Sequence, residues 1–287
     1  MKTLIIQENG RHEGNRNFRE CFCAQRAFIH HGHEADIWGL GHISYTEGEP
    51  DYESYDLIIN LENYDETGWV PNLAKVQAKK FLWSIDAHVK GIQSYLKTAN
   101  EGNYDLILQA TPEFVVENSV WFPNCYDDSV IYHIPPKADA KRDERWPIGF
   151  CGNIVNRGGI IQILKDNFSN FKLDEFVIGE EMVEAINSYK IHFNANISID
   201  INYRNFETMG CKTCLLTSYN QHYEELGMVD GKNCLTYRNM DEMVEKARFA
   251  LENGDFRTSI SNNGYVLAQE HTYKKRIETL IKSMKEN

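Results

Sequence analysis

The sequence predicts an α/β fold of two Rossmann-like parallel-sheet domains facing a cleft, and three observations carry that expectation. A chain of 287 residues is long for one compact core and suits two domains of roughly 130 to 150 residues. Short apolar runs alternate with amphipathic helical patterns through both halves. Between the halves, YHIPPKADAKRDERWP (132–147) concentrates three of the chain's seven prolines with mixed charge, the composition of a linker. The expected division is 1–134, a linker at 135–147, a second domain at 148–270, and a last helix at 271–287 that packs on the second domain or crosses back to the first.

In the first half the expected strands are Thr3 to Ile6, Glu34 to Trp38, Asp56 to Leu61, Lys80 to Ser84, Tyr104 to Gln109 and Val120 to Phe122. Asn15 is placed to cap a helix running to about His31, with Phe18, Phe22, Ala27 and Phe28 on or near one face. After the linker the alternation restarts: IGFCGN as a strand, a helix from about Gly158 to Phe168, DEFVIG as a strand, a helix around Glu181 to Ser188, then KIHFNA. The helix that holds Arg204 and Glu207 precedes the strand TCLLT, a short helix at YEEL, a strand at NCLTY and three final helices. The last of these spaces Ile277, Leu280, Ile281 and Met284 along one apolar side.

Composition narrows the class of protein. With 42% apolar, 12% aromatic and 25% charged residues, the chain can build an ample core and is not extensively disordered. No run reaches the roughly 18 apolar residues of a membrane span, and the apolar run near the start is too short for a signal peptide, so a cytoplasmic protein is expected. Seven scattered cysteines fit reduced thiols better than a disulfide framework. A net charge of −12 argues against coating nucleic acid through the overall field. The stretch GRHEGNRNFRE nevertheless gathers Arg11, Arg16 and Arg19 with His12, and is read as a lining for an anion site.

The chemistry concentrates in NYRNFETMGCKTCLLTS (202–218). Asn202 and Tyr203 lead into a helix whose Arg204 and Glu207, three apart, leave on one side near its N-terminus. That end favours anions, and a glutamate a turn deeper can accept hydrogens from a vicinal diol, so a nucleoside diphosphate matches both features. An ordinary intrahelical salt bridge is the competing reading. Gly210 is expected just after the helix, turning the chain into the next strand. CKTC reads as buried packing rather than a redox or zinc motif, and His30, His31 and His33 as helix-end residues rather than metal ligands.

From about Ile148 onward, GFCGN with Arg157, INSYKIHFNAN, RNFETMGCKTCLLTS, YEELG, GKNCLTY and MDEMVEKARFALEN resemble, in order, the C-terminal domain of GT-B glycosyltransferases. The likeness is greatest to the group-1, retaining branch that includes the CgeB-like proteins. The resemblance implies a hexosyl- or pentosyltransferase that uses a nucleotide sugar as co-substrate, with no other cofactor and no metal. It makes Glu207 the ribose ligand and Arg204 a neighbour of the diphosphate, and it sets Gly152, Asn153 and Arg157 in the donor loop. Many relatives carry a second basic residue shortly after that arginine, whereas GGIIQILK has none before Lys165. The N-terminal LIIQENGRHEGNR resembles the glycine-containing loop of the first domain, so Gly10, Gly14 and Arg16 are expected beside donor and acceptor. In FLWSIDAH, Asp86 and His88 follow a strand where the cleft is expected. His88 would lie near the donor sugar, and Asp86 would be a base if the enzyme inverts.

Partners implied are a nucleotide sugar and an acceptor that is a saccharide, a protein, a small molecule or a nucleic-acid base. Alternatives are a non-catalytic nucleotide-sugar binder and, more remotely, a sugar-nucleotide epimerase.

Overall fold

The structure, a computed structural model, describes residues 1–62, 67–135, 144–196 and 198–286. Two compact units are formed, one by Met1–Asp127 with Tyr273–Asn287 and the other by Asp128–Thr272. Residues 136–143 of the expected linker lie outside the described residues, while Trp146 and Pro147 belong to a strand.

The first unit runs β1 (Lys2–Ile6), α1 (Glu20–His30), β2 (Glu34–Trp38), α2 (Ile43–Thr46), β3 (Leu57–Leu61), β4 (Lys79–Ser84), α3 (Ala87–Lys90), α4 (Ile92–Glu101), β5 (Leu106–Gln109) and β6 (Ser119–Trp121). These strands form one parallel sheet in the order β2-β1-β3-β4-β5-β6. All five residues of β3 are buried, as befits a central strand covered on both faces.

The expected single helix from Asn15 is instead two pieces, a 3-10 segment over Glu13–Phe18 and then α1, entered through Arg19. Asn15 caps nothing there. The amide of Cys21, in the first turn of α1, donates to Gln7 Oε1 beyond the end of β1 (3.0 Å), a tertiary contact that no local signal announces. Cys21, Ala24 and Phe28 bury one face of α1.

The second unit runs β7 (Trp146–Gly152), α5 (Gly158–Asn167), β8 (Phe171–Glu175), α6 (Gly179–Asn187), β9 (Tyr189–Asn194), α7 (Tyr203–Gly210), β10 (Cys214–Ser218), β11 (Leu235–Tyr237), α8 (Met240–Glu252) and α9 (Gly254–Ala268). Its parallel sheet has the order β11-β10-β9-β7-β8. Ile148, Phe150, Ile191, Phe193, Leu216 and Met243 anchor the core under α5 and α8. The last helix, α10 (Tyr273–Glu286), packs against α1 in the first unit, where His31 Nε2 meets the Lys274 carbonyl at 2.9 Å.

Two expectations in this unit are corrected. DEFVIG is only partly a strand: β8 is an edge strand paired with β7 alone, and its partner ends at Gly152 opposite Glu175, so Phe176 leaves the sheet with φ 58°. Gly210 is the last helical residue rather than the turn. Lys212 takes the left-handed conformation (φ 58°), its amide bonding Met209 O (2.9 Å) while the Thr213 amide bonds Thr208 O (3.2 Å).

Candidate functional site

In an open parallel sheet, ligands bind beyond the carboxyl ends of the strands where the strand order reverses. In the second unit that point lies between β7 and β9. Gly152 ends β7 with φ 150°, and the loop after it closes on itself: Asn153 Oδ1 accepts from the Val155 amide (2.8 Å), and the Arg157 amide bonds Ile154 O (2.8 Å). Arg157 then reaches across to β9, Nε and Nη2 both donating to Ala195 O (3.1 and 3.0 Å), while Nη1 donates to Asn153 O (2.9 Å). Of the five N–H donors of a guanidinium, three are used and two remain.

Arg157 is also the residue from which α5 starts, with no side-chain cap, and its first two residues are Gly158 and Gly159. An added Cβ at either glycine would meet nothing within 4 Å. A guanidinium beside open, uncapped helix N–H groups is a ready anion site. Burial lowers the Arg157 pKa; Asp200 opposes the shift and Arg204 adds to it.

The ends of β9 and β10 carry an asparagine network. Asn194 Nδ2 reaches Asn202 Oδ1 (3.1 Å), Asn205 Oδ1 (3.1 Å) and Thr217 Oγ1 (3.2 Å), and Asn196 Nδ2 donates to the Tyr223 hydroxyl (2.9 Å). It ties the N-terminus of α7 to the sheet edge through satisfied buried groups. Beside it, Ile160, Ala195, Asn196, Ser218, Tyr219, Tyr237, Arg238 and Met240 line a hollow of about 440 Å³. The Arg238 guanidinium lies 3.4 Å from the Tyr219 ring centroid.

Arg204 and Glu207 leave α7 together and bind each other at 2.7 Å, both largely buried. Arg204 also touches Met182 Sδ of α6. Neither lines the 440 Å³ hollow. Below them His192 stacks on Tyr189 (5.5 Å), accepts from the Cys151 amide at Nε2 (3.3 Å) and bonds Thr208 Oγ1 through Nδ1. Burial, and after it the Arg204 charge, keep this imidazole neutral by lowering its pKa well below the usual value. Tyr203 follows the cap position Asn202 on the same helix.

The first unit gathers a different set at the ends of β1, β3 and β4. Glu62 Oε2 accepts from the amides of Ile85 (3.0 Å) and Asp86 (2.7 Å), and its other oxygen pairs with Lys90 Nζ at 2.7 Å. Burial, then the Glu62 charge, push Asp86 up to about 6. His88 lies in α3, close enough for its charge to act against that rise. Gly10 has φ 74°, and a Cβ there would stand 2.6 Å from Arg19 Cδ, so only glycine fits. Gly14 faces open space. Arg16 stands 4.0 Å from Glu13, and Arg19 stands 4.0 Å from Glu8. Arg11 and His12 are exposed.

Among the expected residues, the structure joins Gly152, Asn153 and Arg157 in one loop, and Asn202, Tyr203, Arg204 and Glu207 on one helix. Asp86, His88, Gly10, Gly14 and Arg16 belong to the other unit. Glu62, Asn194, Asn196, Asn205 and the Tyr219–Arg238 stack escaped the sequence reading. The strand-terminal HFNAN was the one available signal for the asparagines. All seven cysteines are free and buried, and burial raises the Cys211 and Cys214 thiols, which suits packing rather than redox chemistry. Among the described residues, no group of three or more His, Cys, Asp or Glu is placed to hold a metal, and no helix is long and apolar enough to cross a membrane.

Comparison with known proteins agrees with this architecture. A family described as glycosyl transferase-like matches residues 140–282. No curated protein matches the chain. Similar solved structures include the sucrose-phosphate synthase of Thermosynechococcus elongatus, 11% identical with a TM-score of 0.66 over 99% of each chain. Another is Anabaena HepE in complex with UDP and glucose, 11% identical with a TM-score of 0.67 over 99% of this chain and 100% of that one. A third is an alpha-glucosyltransferase in complex with UDP-glucose and DNA containing an abasic site, 11% identical with a TM-score of 0.68 over 98% and 99%. Residues 140–282 thus match a glycosyl transferase-like family, in a chain that has the GT-B fold.

Proposed function

We propose that the chain transfers a sugar from a nucleotide-sugar donor to an acceptor, keeping the anomeric configuration and needing no metal for the diphosphate. The observation that carries this reading is the Arg157 guanidinium beside the open N-terminus of α5 at the sheet's reversal point. In transfer, the bond from the sugar's anomeric carbon to the diphosphate breaks and a bond to the acceptor forms. Negative charge grows on the departing diphosphate, where fixed positive groups stabilise it most. The adjoining hollow, with its polar Asn196 and Ser218 and its Tyr219–Arg238 stack, suits the nucleoside. Uridine is the first base to try, because HepE and the alpha-glucosyltransferase are in complex with UDP or UDP-glucose.

Glu207 is assigned to the ribose and Arg204 to the diphosphate. Since they now hold each other, donor binding has to redistribute that pair. With retention, the acceptor proton passes to the leaving diphosphate oxygen. A second reading, inversion with Asp86 taking that proton, is favoured by the raised proton affinity of Asp86. A nucleic-acid acceptor draws support from the alpha-glucosyltransferase complex with DNA, but Arg16 and Arg19 are already near carboxylates and the net charge is −12.

The test is incubation with UDP-, GDP- and ADP-sugars while free nucleotide is followed, then proton NMR of the product. Nucleotide release with an axial-to-axial or equatorial-to-equatorial outcome supports the proposal. Binding without any release would make the chain a nucleotide-sugar binder. An inverted product would move the proton to Asp86.

A further inference from the structure

The polar side chains on one face of β9 do something that apolar packing does not. Ile191 and Phe193 point into the core under α5 and α8, so His192 and Asn194, at the alternate positions, share the other face. Both reach α7. Asn194 Nδ2 meets Asn202 and Asn205, and His192 Nδ1 meets Thr208 Oγ1 at 2.5 Å. Asn202, Asn205 and Thr208 recur every three residues, so they form one stripe along the helix and its cap. Apolar contact is non-directional and lets a helix slide or roll over a sheet, whereas hydrogen bonds to fixed partners set its register and its rotation.

His192 goes further than Asn194, because its second nitrogen ties in another strand. β7 registers Gly149 against His192, and two residues further on the Cys151 amide donates to Nε2 (3.3 Å). An amide only donates, so Nε2 offers its lone pair and the neutral ring carries its proton on Nδ1, which donates to Thr208 Oγ1. The Thr208 hydroxyl in turn donates to the Arg204 carbonyl (2.6 Å). One directional chain thus runs from the backbone just before Gly152 to the backbone of Arg204. The imidazole is fully buried and stacks on Tyr189, and burial keeps it neutral, the form that the chain requires. An apolar side chain of similar volume would fill the space without burying polar atoms; what the imidazole adds is the directional link.

We infer that His192 is a positioning residue: its two ring nitrogens hold the loop 152–157 and the helix bearing Arg204 and Glu207 at one fixed spacing, so that both meet the same donor. The inference rests on the donor site proposed above, and adds to it a residue that acts through others.

Thr208→Val is the sharpest variant, since it is nearly isosteric, leaves His192 and Cys151 in place and removes only the hydroxyl that links the ring to α7. Thr208→Ser keeps the hydroxyl, His192→Leu removes both bonds, and Ile260→Val lowers the stability of the same unit from its core, away from the chain of bonds. UDP-, GDP- and ADP-glucose are titrated calorimetrically into each full chain well below its Tm. The nucleotide sugar bound best by wild type should bind about fivefold more weakly, or worse, to Thr208→Val and His192→Leu, while Thr208→Ser and Ile260→Val stay within about twofold. If His192→Leu does not fold, the two Thr208 variants decide. Unchanged affinity in Thr208→Val would overturn the inference. So would equal weakening in Thr208→Ser or Ile260→Val, because packing or general stability would then explain the loss. Arg157→Ala separates the two ways of failing: if it weakens binding and Thr208→Val does not, the donor site stands and the positioning role falls, and if wild type binds none of the three sugars, both fall.

Discussion

Asp86 is the residue whose chemistry the structure most alters. Burial and Glu62 raise it to about 6, so its protonated form is favoured in the fold, and its contribution to stability is lost as pH rises from about 4 through 6. If Asp86 accepts the acceptor's proton, log(kcat/KM) climbs with pH and levels off above about 6. Glu62→Gln removes the neighbouring charge and should move that rise to lower pH. A profile flat from pH 5 to 8 in both proteins would exclude Asp86 as the base. Glu62 was invisible in the sequence because its role depends on β3 and β4 lying side by side: it accepts amides from the turn after the neighbouring strand. Arg157 was singled out through the resemblance of GFCGN and the loop after it to the donor loop of GT-B enzymes. Its grip on the Ala195 carbonyl was not legible, because β7 and β9 are far apart in sequence. At Arg204 and Glu207 the competing reading of the spacing is what the fold displays, an intrahelical pair at 2.7 Å; their donor role is the proposal made above.

At the scale of elements, the apolar alternation located every strand of both sheets but β8, of which DEFVIG shares only Asp174 and Glu175, and errors gathered at ends where a tertiary partner decides. The edge strand β8 stops because β7 stops, and α1 begins where Gln7 meets the Cys21 amide. Neither cause is local. The packing of β7 against β9 yields a sharp prediction. Gly149 lies on β7 where a Cβ would come within 2.3 Å of the Tyr189 ring, which itself stacks on His192. Gly149→Ala should therefore destabilise the second unit by about 1–3 kcal/mol, through overpacking in the face that also supports Arg204. Thermal unfolding should show a Tm several degrees lower. An unchanged Tm would mean that the Tyr189 ring moves aside at no cost.

For the whole molecule, length, alternation and the proline-rich segment sufficed to anticipate two parallel-sheet units. The sheet orders and the reversal points that locate the sites emerged only from the folded chain. Histidine titration gives a prediction at this scale. Burial lowers the pKa of His192, His42 and His33, so below about 6.5 these three side chains bind more protons in the unfolded chain than in the fold, outnumbering Asp86, which acts the other way. Stability then falls as pH falls, by on the order of 1.4 kcal/mol per pH unit for a group as deeply buried as His192. Urea midpoints measured from pH 7.5 down to 5.5 should decline, and His192→Gln should flatten the decline. A midpoint that rises over that range would contradict the account.

The central claim is that Arg157 and the N-terminus of α5 hold the donor's diphosphate at the reversal point of the second sheet. Its most direct test is calorimetric titration of UDP-, GDP- and ADP-glucose into the wild-type chain and Arg157→Ala. Loss of charge-assisted hydrogen bonds worth about 1.5–3 kcal/mol predicts that the nucleotide sugar bound best by wild type binds at least tenfold more weakly to the variant. Equal affinity in the two proteins, or no saturable binding of any of the three by wild type, would contradict it.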